Sequence, residues 1–379
     1  MLIKKMLFAG VLAVAGLGSL CAQQSRLKEE PLGFEEYDPV STLIVEENPV
    51  TKAKYPFIDV HNHQYRMPTQ DLGQLKLQMD SLNMGIMVNL SGRGWFQEWA
   101  EGTQHLKGAL ENVSKNGGKR IAIFTNLQFK DFGEEDWSKR AVAQLEEDVK
   151  MGAKGLKIYK SLGFSGIRDE KGKRVAVSDP RLQPVWQKCG DLGIPVLIHT
   201  ADVPSFWDPM DRYNERWLEL KTHPNRRRGD VDPIPFDSLI AEQHAIFRNN
   251  PKTTFINAHM GWYANNLRKL DSLMTVFPNT YVEIGAVIAE LGRQPRTAKK
   301  FFDKHQDRVL FGKDSWVPSE YSTYFRVLET EDEYFPYHKK YHAFWRMYGL
   351  GLSDEVLKKL YYKNALKIIP GLDKTAFPD

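Results

Sequence analysis

Short apolar runs recur along the chain from residue 56 to residue 314, separated by longer stretches of mixed polar and apolar residues. The runs are PFIDVH (56–61), GIMVNLS (85–91), RIAIFTNL (120–127), AKGLKIY (153–159), IPVLIHT (194–200), TTFINAH (253–259), TYVEIGA (280–286) and RVLFGKD (308–314). Their length and their content of Val, Ile, Phe and Tyr predict eight buried strands. The segments between them carry helical spacing. In GWYANNLRKLDSLMTVFP (261–278), Tyr263, Leu267, Leu270, Met274 and Phe277 recur at steps of three and four, which predicts one amphipathic helix. Residues 137–151 and 235–249 repeat this pattern, and the pairs Asn250-Pro251 and Phe277-Pro278 supply proline stops.

Eight strand–helix repeats predict an α/β fold, a (β/α)8 TIM barrel. A bare barrel needs about 250 residues, so a chain of 379 has surplus. The surplus lies in an N-terminal arm or linker (23–54), in residues 201–233 and in residues 315–340. The last two follow strands five and eight, which predicts loops lying over the C-terminal mouth. The barrel is expected over 55–372 and a tail over 373–379. An open doubly wound sheet fits less well, because no glycine-rich phosphate turn follows the first strand.

Residues 1–22 read as an export signal, with Lys4 and Lys5 before the apolar core MLFAGVLAVAGLGSL. The apolar run is short for a bilayer span of about 20 residues. The expected location is therefore outside the cytoplasm, a bacterial periplasm. Cys21 offers a second reading, a lipid anchor, against which stands the bulky Leu20 directly before it. Beyond the signal a single cysteine, Cys189, remains, so no internal disulfide can form. Losing Lys4 and Lys5 lowers the formal charge from +4 to +2. This near balance and one short basic cluster, NRRRGD (225–230), argue against nucleic acid as a partner.

Chemistry in such barrels sits at the C-terminal ends of the strands. Strand one ends in His61 and His63, strand four carries Lys157, strand five ends in His199, strand six in His259 and strand eight in Asp314. Side chains two apart on a strand share a face, so His61 and His63 point together and Asn62 points elsewhere. A single histidine is more often a satisfied core residue. Several at one rim would cost a few kcal/mol each if buried without partners, so the set argues for one site. Imidazole with carboxylate suits a divalent ion, zinc first.

These motifs, DVHNH, IHT, NAHMGW and FGKD, with the closing segment LYYKNALKIIPGL, resemble the metal-dependent amidohydrolase superfamily, in the branch that holds hydrolases and nonoxidative decarboxylases. The resemblance runs from about Tyr55 to Leu372. It implies that His61, His63, His199 and Asp314 bind a metal and that His259 holds or polarises the bound water or substrate. It also implies a second ion if Lys157 is carboxylated and bridges two metals; otherwise one ion is expected. Lys313 departs from the pattern, which more often has a small residue before the aspartate.

The expected activity is hydrolysis of an ester, lactone or amide, carbohydrate-derived or aromatic, with Asp314 moving the proton. The alternatives are decarboxylation of a small carboxylic acid and a non-catalytic ligand-binding barrel. The expected partner is a small-molecule substrate, and a homo-oligomer is left open. Further substrate candidates are Arg93 in SGRGW, Glu283 at the end of strand seven, Tyr159 beside Lys157, and the aromatic residues Trp95, Trp207, Trp262 and Trp316. Asp202 would reach the site from the loop after strand five. Glu283 has a second candidate role, orienting a metal ligand. His338 and His342 have helical spacing but lack the glutamate of a helical zinc motif, which predicts a partly exposed helix face.

Overall fold

The structure, a computed structural model, describes residues 32, 33, 35–96 and 98–378. The expected export signal and Cys21 lie outside the described residues. The chain divides into two compact units between Ile44 and Val45, and His61, His63, His199, His259 and Asp314 all belong to the second. Among the described residues, no helix is long and apolar enough to cross a membrane.

The strands are β1 (Phe57–Asn62), β2 (Met84–Asn89), β3 (Ile121–Ile123), β4 (Thr125–Asn126), β5 (Leu156–Ile158), β6 (Val196–Ile198), β7 (Phe255–Asn257), β8 (Thr280–Glu283) and β9 (Val309–Leu310). Every pairing between them is parallel, in the order β1-β2-β3 and β4 through β9. The third predicted strand is two pieces. Phe124 separates them: its N–H bonds back to Asn89, whereas Thr125 bonds forward to Gly155. β3 therefore pairs with β2, and β4 with β5, so the two pieces act as one barrel stave. The ring closes where Val60 N–H donates to Phe311 O at 3.0 Å and Asp314 N–H to His61 O at 2.7 Å. These are the eight staves of a TIM barrel. All residues of β1 and β2 are buried, as continuous apolar runs in a parallel sheet require.

The helices follow the predicted spacing, with two differences. Trp137–Met151 and Phe236–Asn249 form as expected. The third helix is shorter than its pattern and covers only Leu267–Val276. Its Asn266 cap accepts from Lys269 N–H at 3.1 Å, and Tyr263 belongs to the turn before it. The second difference concerns residues 315–340. About a third of this stretch is the helix Tyr321–Glu329, whose Tyr321, Tyr324, Phe325, Val327 and Leu328 are buried. It packs in the barrel wall, with Phe325 5.4 Å and Tyr321 6.1 Å from the Phe57 ring. Residues 201–231 do form an irregular excursion after β6, built of short helical turns.

Candidate metal centre

His61 lies inside β1, and His63 is the first residue past its end. His199 follows β6 directly, His259 is two residues beyond β7, and Asp314 lies four beyond β9. The barrel brings all five together. His61 Nε2 is 3.4 Å and His63 Nε2 3.6 Å from Asp314 Oδ1. His259 Nε2 is 3.3 Å from His199 Nδ1, and the His61 and His259 rings are 5.0 Å apart.

The outer nitrogens settle which lone pairs face the centre. His61 Nδ1 meets Glu283 Oε1 at 2.9 Å, and His259 Nδ1 meets Gly285 O at 2.7 Å. His199 Nε2 meets Ala201 O at 2.9 Å. Carboxylates and carbonyls only accept here, so each of these nitrogens carries the proton and leaves its partner nitrogen with a lone pair. His63 Nδ1 is held by Ser91 Oγ at 2.8 Å. Thus His259 and His199 point two lone pairs at each other, and His61 points its own toward Asp314, with the Lys157 amine 3.5 Å away. That is a repulsive arrangement of acceptors without a cation and a favourable one around it. Two ligand-type groups, His61–His63–Asp314 and His61–His259–Glu283, each have their donor atoms within 4.8 Å of one another. The donor set fits a divalent metal of the zinc or manganese type.

The electrostatics agree with neutral ligands. Burial first, then the Lys157 amine, pulls His63 down to about 4, against the pull of Asp314. Burial and His259 take His199 to about 3. Desolvation works to raise Asp314, but His61, His259, His63 and His199 outweigh it and hold the carboxyl below the usual range. Lys157 is buried in β5 with Nζ 3.5 Å from His61 Nε2. Burial lowers its amine to about 8, with Asp314 and Glu283 opposing.

Backbone strain marks the same place. His259, Met260, Gly261 and Trp262 all have φ between 56° and 60°, one turn of left-handed helix. This costs a residue with a Cβ about 1–2 kcal/mol. A side chain at Gly261 would strike Asn257, which holds that position to glycine. His259 N–H donates to Glu283 Oε1 at 2.7 Å, which secures the turn. Asp314, at φ 83°, is a further left-handed residue.

The remaining sequence candidates separate. Trp262 is brought in, with its ring 4.5 Å from His259 and 5.5 Å from His199. Tyr159 lies 5.6 Å from the His63 ring and shares a hydrogen bond with Ser91. Trp95, 60% exposed, stacks on Tyr65 at 4.8 Å and lies 4.9 Å from Tyr159. Glu283 accepts from His61 Nδ1 and from His259 N–H, the contacts that an orienting role would use. Asp202 is 3.9 Å from His199 Nε2, and Lys160 and Arg228 also grip it.

Arg93 is a correction. Its guanidinium is fully buried on Asp148 at 2.9 and 3.0 Å, and it also donates to Trp99 O and Thr103 Oγ1. The glycine before it admits Phe124 O, a neighbouring backbone, rather than a ligand. Trp207 and Trp316 also stay out of the cluster. Trp207 donates to Ile234 O and packs on Phe236, and Trp316 donates to Gln78 and packs on Tyr321. His338 and His342 lie in bends and turns rather than on a helix. They face Glu320 and Glu219 respectively. Sequence reasoning missed Ser91 and Asp59. Asp59 shares the alternation of His61 and His63, and that was its available signal.

The model of the family described as Amidohydrolase matches residues 133–370. The chain belongs to the amidohydrolase family. The matched span holds Lys157, His199, His259, Glu283 and Asp314, while His61 and His63 precede it. In fold, this amidohydrolase is similar to a Staphylococcus aureus protein classed as an amidohydrolase, 18% identical, with a TM-score of 0.53 over 83% of this chain and 99% of that one. It is similar to a 2,6-dihydroxybenzoate decarboxylase at 14% identity and a TM-score of 0.53, covering 83% and 99%. A dihydroxybenzoic acid decarboxylase from Polaromonas sp. JS666, with bound manganese, is 15% identical at a TM-score of 0.51, covering 83% and 96%. No curated protein sequence matches the chain. This is a metal-dependent enzyme of the amidohydrolase family.

Proposed function

We propose that this amidohydrolase cleaves an ester, lactone or amide by attack of water at the centre formed by His61, His63, His199, His259 and Asp314. The observation that carries the reading is the convergence of imidazole lone pairs beside one carboxylate, each outer nitrogen already engaged. His61, His63, His199 and Asp314 would hold one divalent ion, zinc by preference, with a second if Lys157 is carboxylated. Such an ion lowers the pKa of bound water toward about 7 and polarises a carbonyl. The chain does the rest. Asp314 accepts the proton of the attacking water and returns it to the leaving group. His259, fixed by Gly285 and Glu283, orients the substrate oxygen. Trp262, Tyr159 and Trp95 wall the mouth and take the substrate's ring or apolar part. The basic start and apolar core of residues 1–22 support action outside the cytoplasm.

A second reading is decarboxylation of a small aromatic acid. The stack of Tyr65, Trp95 and Tyr159 against the His63 ring favours a flat substrate, and two proteins of this fold are dihydroxybenzoate decarboxylases. Turnover of the zinc- or manganese-loaded enzyme with lactones, aryl esters and hydroxybenzoates separates the readings. Acid release from lactones or esters is expected. Carbon dioxide release from hydroxybenzoates, with no ester cleaved, would replace the first reading by the second.

A further inference from the structure

Lys313 stands where the family resemblance led us to expect a small side chain, directly before Asp314. Its amine does not turn toward Asp314. Nζ reaches past that residue to Ser315, 3.1 Å from both O and Oγ. The same amine pairs with Glu320. Its side chain is 1% exposed, lying 5.5 Å from the Tyr321 ring and 5.9 Å from the Tyr324 ring. On the other side, Lys313 N–H donates to Asp59 Oδ1 at 3.1 Å. Asp59 in turn accepts from His61 N–H at 3.0 Å and from the Tyr321 hydroxyl at 2.6 Å. Asp314 N–H donates to His61 O.

Asp314 is therefore a left-handed residue bracketed on both sides. Asp59 holds the N–H of the residue before it, His61 O holds its own N–H, and the lysine side chain holds the carbonyl of the residue after it. We propose that Lys313 is a positioning residue. By spanning Asp314 and tethering Ser315, it locks the strained backbone that turns Asp314 Oδ1 onto His61 and His63. This rests on the reading of Asp314 as a metal ligand. A role in packing alone would not need the tether to cross the strained residue.

The test is zinc binding by the full-length apoprotein, measured by competition with a chelating indicator, for Asp314→Ala, Lys313→Met, Ser315→Ala and the double variant Lys313→Met/Asp314→Ala. Asp314→Ala is expected to weaken zinc most. Lys313→Met is expected to weaken it about tenfold, the lower end of what an outer partner of a ligand contributes. The double variant should bind no more weakly than Asp314→Ala alone, because the lysine acts through the aspartate. Glu320 keeps Lys339 at 3.7 Å and the His338 ring at 3.4 Å, so Lys313→Met leaves it with one cationic partner and an imidazole, and the melting curve checks the fold. If that variant does not fold, Ser315→Ala, which removes one acceptor from a half-buried position, carries the test with an expected loss of about threefold. Wild-type zinc affinity in the folded tether variant, or additive losses in the double variant, would overturn the proposal while leaving Asp314 a ligand. Wild-type affinity in Asp314→Ala would overturn the ligand reading and the tether together.

Discussion

Two buried polar clusters lie at neighbouring strand ends and differ in one respect. After β2, Arg93 sits on Asp148, and Asp148 also accepts from Thr125 Oγ1 at 2.5 Å and Gln144 Nε2 at 2.7 Å. Both terminal nitrogens of Arg93 are engaged within the protein. At β1, Glu283 likewise accepts from His61, His259 and Gly285, but the histidines it holds have their other nitrogens aimed at a common centre. The first cluster closes its charges on itself, with only Arg93 Nε left without a partner, and so behaves as scaffold. The second is half-saturated and so has valence left for a ligand. Residue type does not separate them, since each pairs a cationic or potentially cationic group with a buried carboxylate.

The contrast predicts effects of different kinds. The largest is loss of metal. Chelation should reduce turnover by about a thousandfold, the several kcal/mol that a metal's charge contributes, and zinc or manganese should restore it. Undiminished activity in the stripped protein would end the metal reading. Next is Arg93→Ala, which leaves Asp148 buried and unpaired, a loss of about 3–5 kcal/mol of stability. Denaturant unfolding should show this loss while the folded fraction still binds metal in wild-type ratio. A stable Arg93→Ala protein with weakened metal would dissolve the distinction.

Glu283→Gln should come third. Three N–H groups converge on the Glu283 carboxylate, and an amide must turn its own NH2 toward one of them. Metal affinity should fall about 10–100-fold, read by titration of the apoprotein, and an unchanged affinity would remove Glu283 from the centre. The smallest effect is expected for Ser91→Ala, which frees His63 Nδ1. One hydrogen bond contributes about 1 kcal/mol, so affinity should drop about fivefold. A loss as large as that of Glu283→Gln would mean that His63 depends on Ser91 for more than orientation.

Much of this was legible beforehand because it is periodic. The strand patterns and the helices 137–151 and 235–249 follow from local spacing, and the motif DVHNH carries its own face assignment through alternation. The readings that changed all depend on partners far away. The helix expected from Gly261 starts six residues later because His259–Trp262 turn left-handed, and Glu283 and Gly285 hold that turn. Residues 315–340 read as surplus because a bare barrel needs only about 250 residues, yet Tyr321 and Phe325 pack on Phe57. Arg93 looked free because Asp148 is 55 residues away.

The sequence by itself determined the barrel and the ligand types at its rim, since side-chain alternation and the order of strands place His61, His63, His199, His259 and Asp314 at one end. Only the tertiary structure decided which polar groups still have hydrogen-bonding capacity. His61 meets Glu283 across 222 residues and Asp59 meets Lys313 across 254, and no local pattern encodes such pairs. Whether a buried group is scaffold or site depends on how many of its donors and acceptors are already engaged, and that count exists only once the chain is folded.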